Sequence, residues 1–325
     1  MYYLGKEEWL GTIRKDYLND FIKSGGAAVK FGITDDSFNY AGLLSEIRGL
    51  AEQDDYVFAY AEATSTKIHM IDKLFHKISK QIDWDNLAYS TVRRIFSCYN
   101  YKMPDERNDF NIEYIAGLNN REEIFLRKEL HSCLEKEIFH DYEMSQEFRI
   151  AMIRLCLDQL DSGGPSVFLS NAVKEWLRGE LRLISALKEA LIYQKIARHN
   201  ARHMLYSLPH WLRINGKNGL VLVLDINRYF ISKRPEGEDD SFYYSTPATL
   251  DVYELLRQFI DSTDEVEGLL VIVLAGKEML ISEKRGVNRY DALKLRIWDE
   301  VRDTRRQNPL ASMVRITDSN EVAGL

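Results

Sequence analysis

Two almost uninterrupted apolar runs constrain the fold of this chain more than any other feature. Residues 220–226 (Leu-Val-Leu-Val-Leu-Asp-Ile) and residues 269–275 (Leu-Leu-Val-Ile-Val-Leu-Ala) do not alternate between apolar and polar positions. A strand of this composition is buried on both faces, which is typical of a parallel sheet covered by helices. We therefore predict that the two runs are neighbouring strands of one parallel sheet.

Weaker segments extend this sheet. Residues 27–33, residues 56–61 and, less strongly, residues 311–316 have strand length and a β-branched or aromatic composition. Helical periodicity separates the strands, and it covers residues 36–52, 67–81, 247–261 and 289–303. This alternation of strands and helices predicts a three-layer α/β fold with a doubly wound parallel sheet.

The region from residue 84 to residue 208 breaks the alternation. It has no convincing strand, and helical periodicity recurs in it at residues 86–99, 121–140, 145–160, 166–178 and 182–206. We predict a large helical insertion between the strands at 56–61 and 220–226. The predicted organisation is a first part of the α/β core at 1–83, the insertion at 84–208 and a second part of the core at 209–325.

The junction after the first strand bears on nucleotide binding. In a P-loop protein this junction is rich in glycine and ends in Lys-Ser/Thr. Its backbone N–H groups cradle the phosphates, while the lysine and the hydroxyl serve the β/γ-phosphates and Mg²⁺. Here residues 32–37 are Gly-Ile-Thr-Asp-Asp-Ser, with one glycine, no lysine and two acids. The acids suit a helix N-terminus but repel a phosphate, so we predict an ATPase fold that has lost its catalytic site.

Composition limits the classes of partner. A formal net charge of −7 argues against wholesale nucleic-acid binding and leaves room for a local basic patch. Three scattered cysteines have no metal-ligand spacing and favour a reducing compartment. No apolar run approaches the ~20 residues that span a bilayer, and the N-terminus lacks the apolar region of a signal peptide. We expect a cytoplasmic protein with no membrane contact.

Several short segments, taken in order and at their separations, resemble one known family. They are residues 26–31, 67–75, 81–84, 176–180, 219–225, 253–261, 268–276, 290–296, 299–303 and 308–311. The family is the P-loop ATP-binding domain family associated with bacteriophage-exclusion (BREX) and related defence systems, and the resemblance spans nearly the whole chain. It implies a P-loop NTPase fold of the AAA+-like kind, related to origin-recognition ATPases. It also implies an antiviral complex whose other subunits are the partners, an active ATPase or effector among them.

The chain departs from the active members of such families at two places. Active members carry a Gly-Lys-Ser/Thr phosphate loop and an Asp-Glu pair that ends the third strand. Here the phosphate loop has no lysine, and the strand ends in Asp225 followed by Ile226. We therefore expect no catalytic residue. The remaining nucleotide contacts would be vestigial ones, from Gly32, Thr34, Ser37 and Asp225.

Structural roles are the alternatives for these side chains. Asp225 could contact a metal ion, or it could cap the following turn or pair with an arginine. Thr34 and Ser37 could replace the magnesium-binding hydroxyl, or they could cap the helix predicted at 36–52. A lysine from elsewhere, such as Lys30 or Lys277, would make the chain a weak ATPase that binds ATP and Mg²⁺.

Arginines near the C-terminus form a candidate protein interface. Arg302, Arg305 and Arg306 lie at or just beyond the end of the last predicted helix, beside a Pro-terminated loop. Arginine makes bidentate contacts with carboxylates, so these residues could bind a partner subunit. Acids are interleaved with the arginines at helical spacing, and a salt-bridged helix face is the alternative.

A second basic group lies in the helical region. Lys195, Arg198 and Arg202 follow one another at helical spacing in the segment predicted as a helix at 182–206. A basic helix face can bind a phosphate backbone or an acidic partner. A solvated helix face is the alternative.

Three functions follow from these patterns. The leading hypothesis is a catalytically degenerate AAA+-like subunit of a bacterial antiphage defence system, which acts by protein–protein assembly or regulation and needs no cofactor. The second is a weak ATPase of a defence complex, with ATP and Mg²⁺ as cofactors. The third is a module that contacts DNA through Lys195, Arg198 and Arg202.

Overall fold

The computed structural model describes five stretches of the chain. They are residues 3–35, 38–161, 165–231, 242–298 and 307–318. The chain divides into two compact units. The first comprises residues 1–78 and 217–325, and the second comprises residues 79–216.

The first unit contains a parallel sheet of six strands. In chain order these are β1 (Leu4–Gly5), β2 (Ala27–Thr34), β3 (Tyr56–Glu62), β4 (Gly219–Asp225), β5 (Leu269–Gly276) and β6 (Met313–Thr317). Their order across the sheet is β1-β6-β2-β5-β4-β3, and every neighbouring pair is parallel. The α/β class and the parallel sheet are thus confirmed. The two-residue strand β1 is too short to leave a sequence pattern.

Twelve α-helices lie in the described stretches. They are α1 (Lys6–Thr12), α2 (Tyr40–Gln53), α3 (Ile71–Ser79), α4 (Trp84–Cys98), α5 (Ile112–Leu118), α6 (Glu123–Leu134), α7 (Gln146–Asp158), α8 (Pro165–Arg178), α9 (Ala201–Ile214), α10 (Thr246–Asp261), α11 (Glu278–Ile281) and α12 (Asp291–Ile297). Helix α1 continues as a π-helical segment, Ile13–Phe21, and α6 continues as another, Glu135–Phe139. Short 3₁₀ segments at Arg107–Asp109, Ile184–Ala190, Asn227–Phe230 and Val287–Arg289 complete the helical elements.

One face of the sheet is packed by α1, its π-helical continuation and α2. Trp9 from α1 and Leu43 and Ile47 from α2 join Val223 and Ile272 of the central strands in one buried cluster. Because β4 and β5 are buried along almost their whole length, their composition is apolar throughout instead of alternating. The sheet therefore forms the core of the first unit and fixes where its strand ends lie.

The second unit is built from α4 to α9, and its described residues contain no strand. The prediction of one continuous helix at 182–206 is wrong, because the middle of this segment is not helical. A 3₁₀ segment ends at Ala190, Leu191 adopts a left-handed backbone with φ +59°, and α9 begins only at Ala201.

Side chains bond the non-helical backbone between these elements. The Trp176 indole donates to the Gln194 carbonyl oxygen at 3.0 Å, and the Asn200 side chain bonds Ala197 N and Lys195 O at 2.8 and 3.2 Å. Tertiary contacts therefore override the helical periodicity of this segment.

Candidate nucleotide crevice

The ends of the parallel strands place the sequence-predicted residues at one edge of the sheet. Thr34 at the end of β2 is in register with Gly276 of β5, and Glu62 of β3 is in register with Asp225 of β4. Open parallel sheets bind ligands outside the carboxyl ends of their strands. The structure thus brings Thr34 and Asp225 to the edge where a nucleotide crevice would lie.

Gly32 lies inside β2 and not in the loop that follows it. A Cβ atom at this position would lie 2.7 Å from Cδ1 of Ile316, 3.2 Å from Cδ2 of Leu274 and 3.5 Å from the Trp9 ring. A side chain at this position would force Ile316 to move, and glycine lets the neighbouring side chains pack closely against the strand. The strand continues to Thr34, so the loop begins at Asp35 and not at Gly32, where the predicted junction began.

The N-terminus of α2 is capped by residues that sequence reasoning missed. The Asn39 side chain accepts a hydrogen bond from Gly42 N at 3.0 Å, so Thr34 is not the cap and α2 begins at Tyr40. The Asn39 backbone N–H donates to Oδ2 of Asp318 at 2.7 Å. Asp318 is 279 positions away in the chain, so no local pattern could have revealed the contact. Ser37 lies outside the described residues.

A polar network connects the strand ends. The hydroxyl of Thr34 bonds the phenol of Tyr40, which also bonds the side chain of Asn227. Asn227 donates to Oδ1 of Asp225 from its backbone at 2.9 Å and from its side chain at 2.8 Å. The Asn227 side-chain oxygen accepts from Gly276 N at 2.5 Å. Asp225 thus makes the turn-capping contact that the sequence offered as an alternative to a metal site.

The electrostatics of this edge are acidic. Burial raises the pKa of the Asp225 carboxyl, the two Asn227 hydrogen bonds lower it, and the Glu62 carboxylate raises it further. Burial also raises the pKa of the Tyr40 and Tyr60 phenols, with Asp225 adding to both shifts. Among the described residues, the charged side chains that contribute most to these pKa shifts are carboxylates. A nucleotide's phosphates are normally neutralised by a lysine, an arginine or a metal ion.

The two lysines considered as substitutes lie in different places. Lys30 is buried within β2, four residues before the strand end. Its Nζ donates to the Leu310 carbonyl oxygen at 2.7 Å and the Tyr17 hydroxyl at 3.1 Å, and to the Ala311 carbonyl oxygen. At ~3.3 Å per residue it is on the order of 13 Å from the crevice edge. Lys277 follows Gly276 directly and therefore lies at the edge.

The basic residues of the second unit do not share a helix face. Lys195 and Arg198 precede α9, and only Arg202 lies within it. The Lys195 ammonium donates to the Arg182 carbonyl oxygen at 3.1 Å. The prediction that these three residues share one helix face is therefore wrong. Arg302, Arg305 and Arg306 lie outside the described residues.

The fold and the crevice define a class of protein. A parallel sheet flanked by helices, with candidate ligand residues at its carboxyl edge, is consistent with a P-loop-like fold. A family model described as BREX system ATP-binding protein BrxC/D matches residues 20–322. The chain therefore belongs to this family, as the resemblance had indicated. Neither the curated proteins nor the solved structures gave a match.

No helix in the described stretches is long and apolar enough to cross a membrane. No group of three His, Cys, Asp or Glu side chains in them could hold a metal ion.

Proposed function

We propose that the chain is a catalytically degenerate AAA+-like subunit of a BREX-type antiphage defence system, which acts by protein–protein assembly or regulation. The observation that carries the proposal is the hydrogen-bond network that joins Thr34, Tyr40, Asn227 and Asp225 at the carboxyl edge of the sheet. This network joins the ends of β2, β4 and β5 through side chains of the chain itself.

The network uses the groups that a nucleotide with Mg²⁺ would need. The Thr34 hydroxyl is bonded to Tyr40, and Oδ1 of Asp225 is bonded twice to Asn227. The carboxylate of Asp318 accepts from the backbone at the N-terminus of α2, where a phosphate would otherwise bind. The engagement of these groups within the chain supports the proposal that the crevice does not hold ATP with Mg²⁺, and we assign its residues no step of hydrolysis.

The position after Asp225 supports the same conclusion. The residue at this position is Ile226, which is apolar and fully buried. It therefore provides no carboxylate to orient an attacking water. The neighbouring strand end provides Glu62, whose carboxylate is close enough to Asp225 to raise its pKa. Glu62 is therefore the residue through which a weak ATPase would most directly replace the missing glutamate.

Nucleotide titration and a hydrolysis assay test the proposal. Purified full-length chain is titrated with ATP in Mg²⁺ by calorimetry, and phosphate release is measured for the wild type, Asp225→Asn and Glu62→Gln. We expect no turnover above background and no difference among the three proteins, because the loss of the lysine and of the water-orienting group each costs several orders of magnitude. Magnesium-dependent turnover that either substitution abolishes would establish the weak-ATPase alternative instead.

A further inference from the structure

An apolar groove opens on the second unit between α7 and the end of α6, and we call it the α6–α7 groove. Its volume is about 360 Å³. Its apolar lining comes from Ile150, Ile153 and Leu157 of α7, which we call the floor, and from Phe139 and Leu191, which we call the walls. It shares no residue with the strand-end crevice, so its role does not depend on whether that crevice binds a nucleotide.

The floor is a second apolar stripe on α7. The inner face of this helix is fully buried through Phe148, Met152 and Leu155. Ile150, Ile153 and Leu157 repeat at i, i+3 and i+7 on another face and are only partly covered. Helix α7 packs against α4, α8 and the segments Glu135–Phe139 and Ile184–Ala190, so it is apolar on more than one face. The groove is lined by the part of the second stripe that these elements leave uncovered. The second stripe is about 10 Å long at 1.5 Å per residue, which matches two turns of a docked helix.

The walls are exposed apolar side chains, and one has an unusual backbone. Phe139 is 38% exposed and Leu191 is 61% exposed. Leu191 has φ +59°, a left-handed conformation that costs a non-glycine residue roughly 1–2 kcal/mol. This backbone closes the 3₁₀ segment, because Leu191 N donates to the Lys188 carbonyl oxygen at 3.0 Å and Ile192 N donates to the Leu187 carbonyl oxygen at 3.2 Å. The Leu191 side chain is nevertheless mostly in solvent. A contact outside the chain would bury it.

The charged side chains of the groove favour one class of occupant. Glu135, in the segment after α6, and Glu189, in the 3₁₀ segment Ile184–Ala190, are exposed lining residues, and neither has an ion-pair partner among the described residues. Arg154 lies beside the floor, where its buried Nε has no hydrogen-bond partner in the described part of the chain. Rim carboxylates suit lysine or arginine on an occupant, and the Arg154 guanidinium suits one carbonyl or carboxylate.

We propose that the α6–α7 groove docks an amphipathic helix of a partner protein, with apolar residues at helical spacing in the groove and lysine or arginine beside them. Helix-in-groove recognition uses anchors at i, i+3, i+4 and i+7. The apolar anchors supply the affinity, and the two glutamates select the basic occupant.

Peptide binding to the full-length chain tests this inference. The probe is a fluorescein-labelled amphipathic 18-residue peptide of leucine and lysine, with a twin in which glutamate replaces every lysine. Fluorescence anisotropy should show binding of the basic peptide and not of the acidic one. The double variant Glu135→Lys/Glu189→Lys should lower the affinity for the basic peptide by about tenfold. Charges at the rim of an interface affect both the association rate and the choice of partner.

Leu191→Gly separates docking from folding. Glycine adopts the left-handed backbone at no cost, so this variant should keep or raise the melting temperature. It should nevertheless lower the affinity for the basic peptide by about tenfold, as expected for the loss of an apolar anchor. The matched control is Phe168→Gly on α8, which removes an 80% exposed aromatic side chain outside the groove.

Several outcomes would overturn the proposal. Equal binding of both peptides, unchanged affinity in Leu191→Gly, or equal losses in Leu191→Gly and Phe168→Gly would each exclude groove-specific docking. Sedimentation of the wild type and Leu191→Gly tests a second copy of this chain as the occupant. A dimer that Leu191→Gly dissociates would replace the partner helix with that second copy.

Discussion

Lys30 shows at the scale of single residues how position within a strand decides a side chain's role. Only 2% of it is exposed, and its Nζ lies 4.8 Å from the centre of the Tyr17 ring as well as bonding two backbone carbonyl oxygens. Burial lowers the pKa of its ammonium from 10.5 to about 8. The lysine therefore holds the chain before β6 against β2, and it is not available to a phosphate at the strand end.

Lys30 should give the stability of the first unit a measurable pH dependence. The unfolded lysine keeps its proton up to about pH 10.5, while the folded one loses it near pH 8, so unfolding takes up a proton between these values. The free energy of unfolding should therefore rise with pH across this window. The destabilisation caused by the buried charge of Lys30 is fully present below pH 8. At about 1.4 kcal/mol per unit of pH, the wild type should gain roughly 2 kcal/mol over Lys30→Met between pH 7.5 and pH 9.5.

Urea unfolding at both pH values, followed by fluorescence, measures this difference. Lys30→Met is the matched variant because it keeps the length of the side chain and removes the titrating group. Parallel pH dependences of the two proteins would mean that the hydrogen bonds to the carbonyl oxygens keep the buried lysine charged throughout the window.

At the scale of secondary-structure elements, α2 shows how one local and one distant acceptor start a helix. Asn39 satisfies Gly42 N within the first turn, and Asp318 accepts from Asn39 N. Asp318 also lies 3.9 Å from the ammonium of Lys6, which is itself bonded to Glu46 at 2.7 Å. The helix start is thus tied to the segment after β6 and to α1.

Substitution of each acceptor should cost a different amount of stability. Asn39→Ala removes the side-chain cap and should lower the free energy of unfolding by about 1 kcal/mol. Asn39→Asp should keep most of the contribution of the cap to stability. Asp318→Ala removes a charge at the helix N-terminus and should cost about 0.3–1 kcal/mol, less at high salt. Chemical unfolding at low and high salt distinguishes the two. A loss that is equal for both and independent of salt would contradict the assignment of Asp318.

At the scale of the whole molecule, the proposed function requires surfaces that bind other subunits. Arg302, Arg305 and Arg306 are sequence-based candidates for one such surface, and they lie outside the described residues. The double variant Arg305→Glu/Arg306→Glu should weaken complex formation by about tenfold or more, because bidentate arginine contacts with carboxylates become repulsive. It should change the melting temperature of the isolated chain little.

Co-purification of the tagged chain with products of the neighbouring genes measures the first effect, and thermal unfolding measures the second. Normal assembly of the double variant, or unfolding of the isolated chain, would remove these arginines from the interface. DNA binding that falls steeply with salt would support the nucleic-acid alternative for the chain.

The sequence by itself determined the parallel sheet, because a strand buried on both faces must be apolar at nearly every position. It placed β4 and β5 to within a residue at each end. It also placed Thr34 and Asp225 at strand ends, since those ends follow from the strands themselves. The family followed from segments spread over nearly the whole chain.

The tertiary structure alone decided which partners these residues have. The contact of Asp318 with α2 and the bond of Asn227 to Gly276 join distant parts of the chain, and no local pattern records such a contact. The break between Ala190 and Ala201 likewise depends on bonds from Trp176 and Asn200. Periodicity reports which face of an element is apolar, whereas these contacts depend on where the packed sheet and helices bring separate elements together.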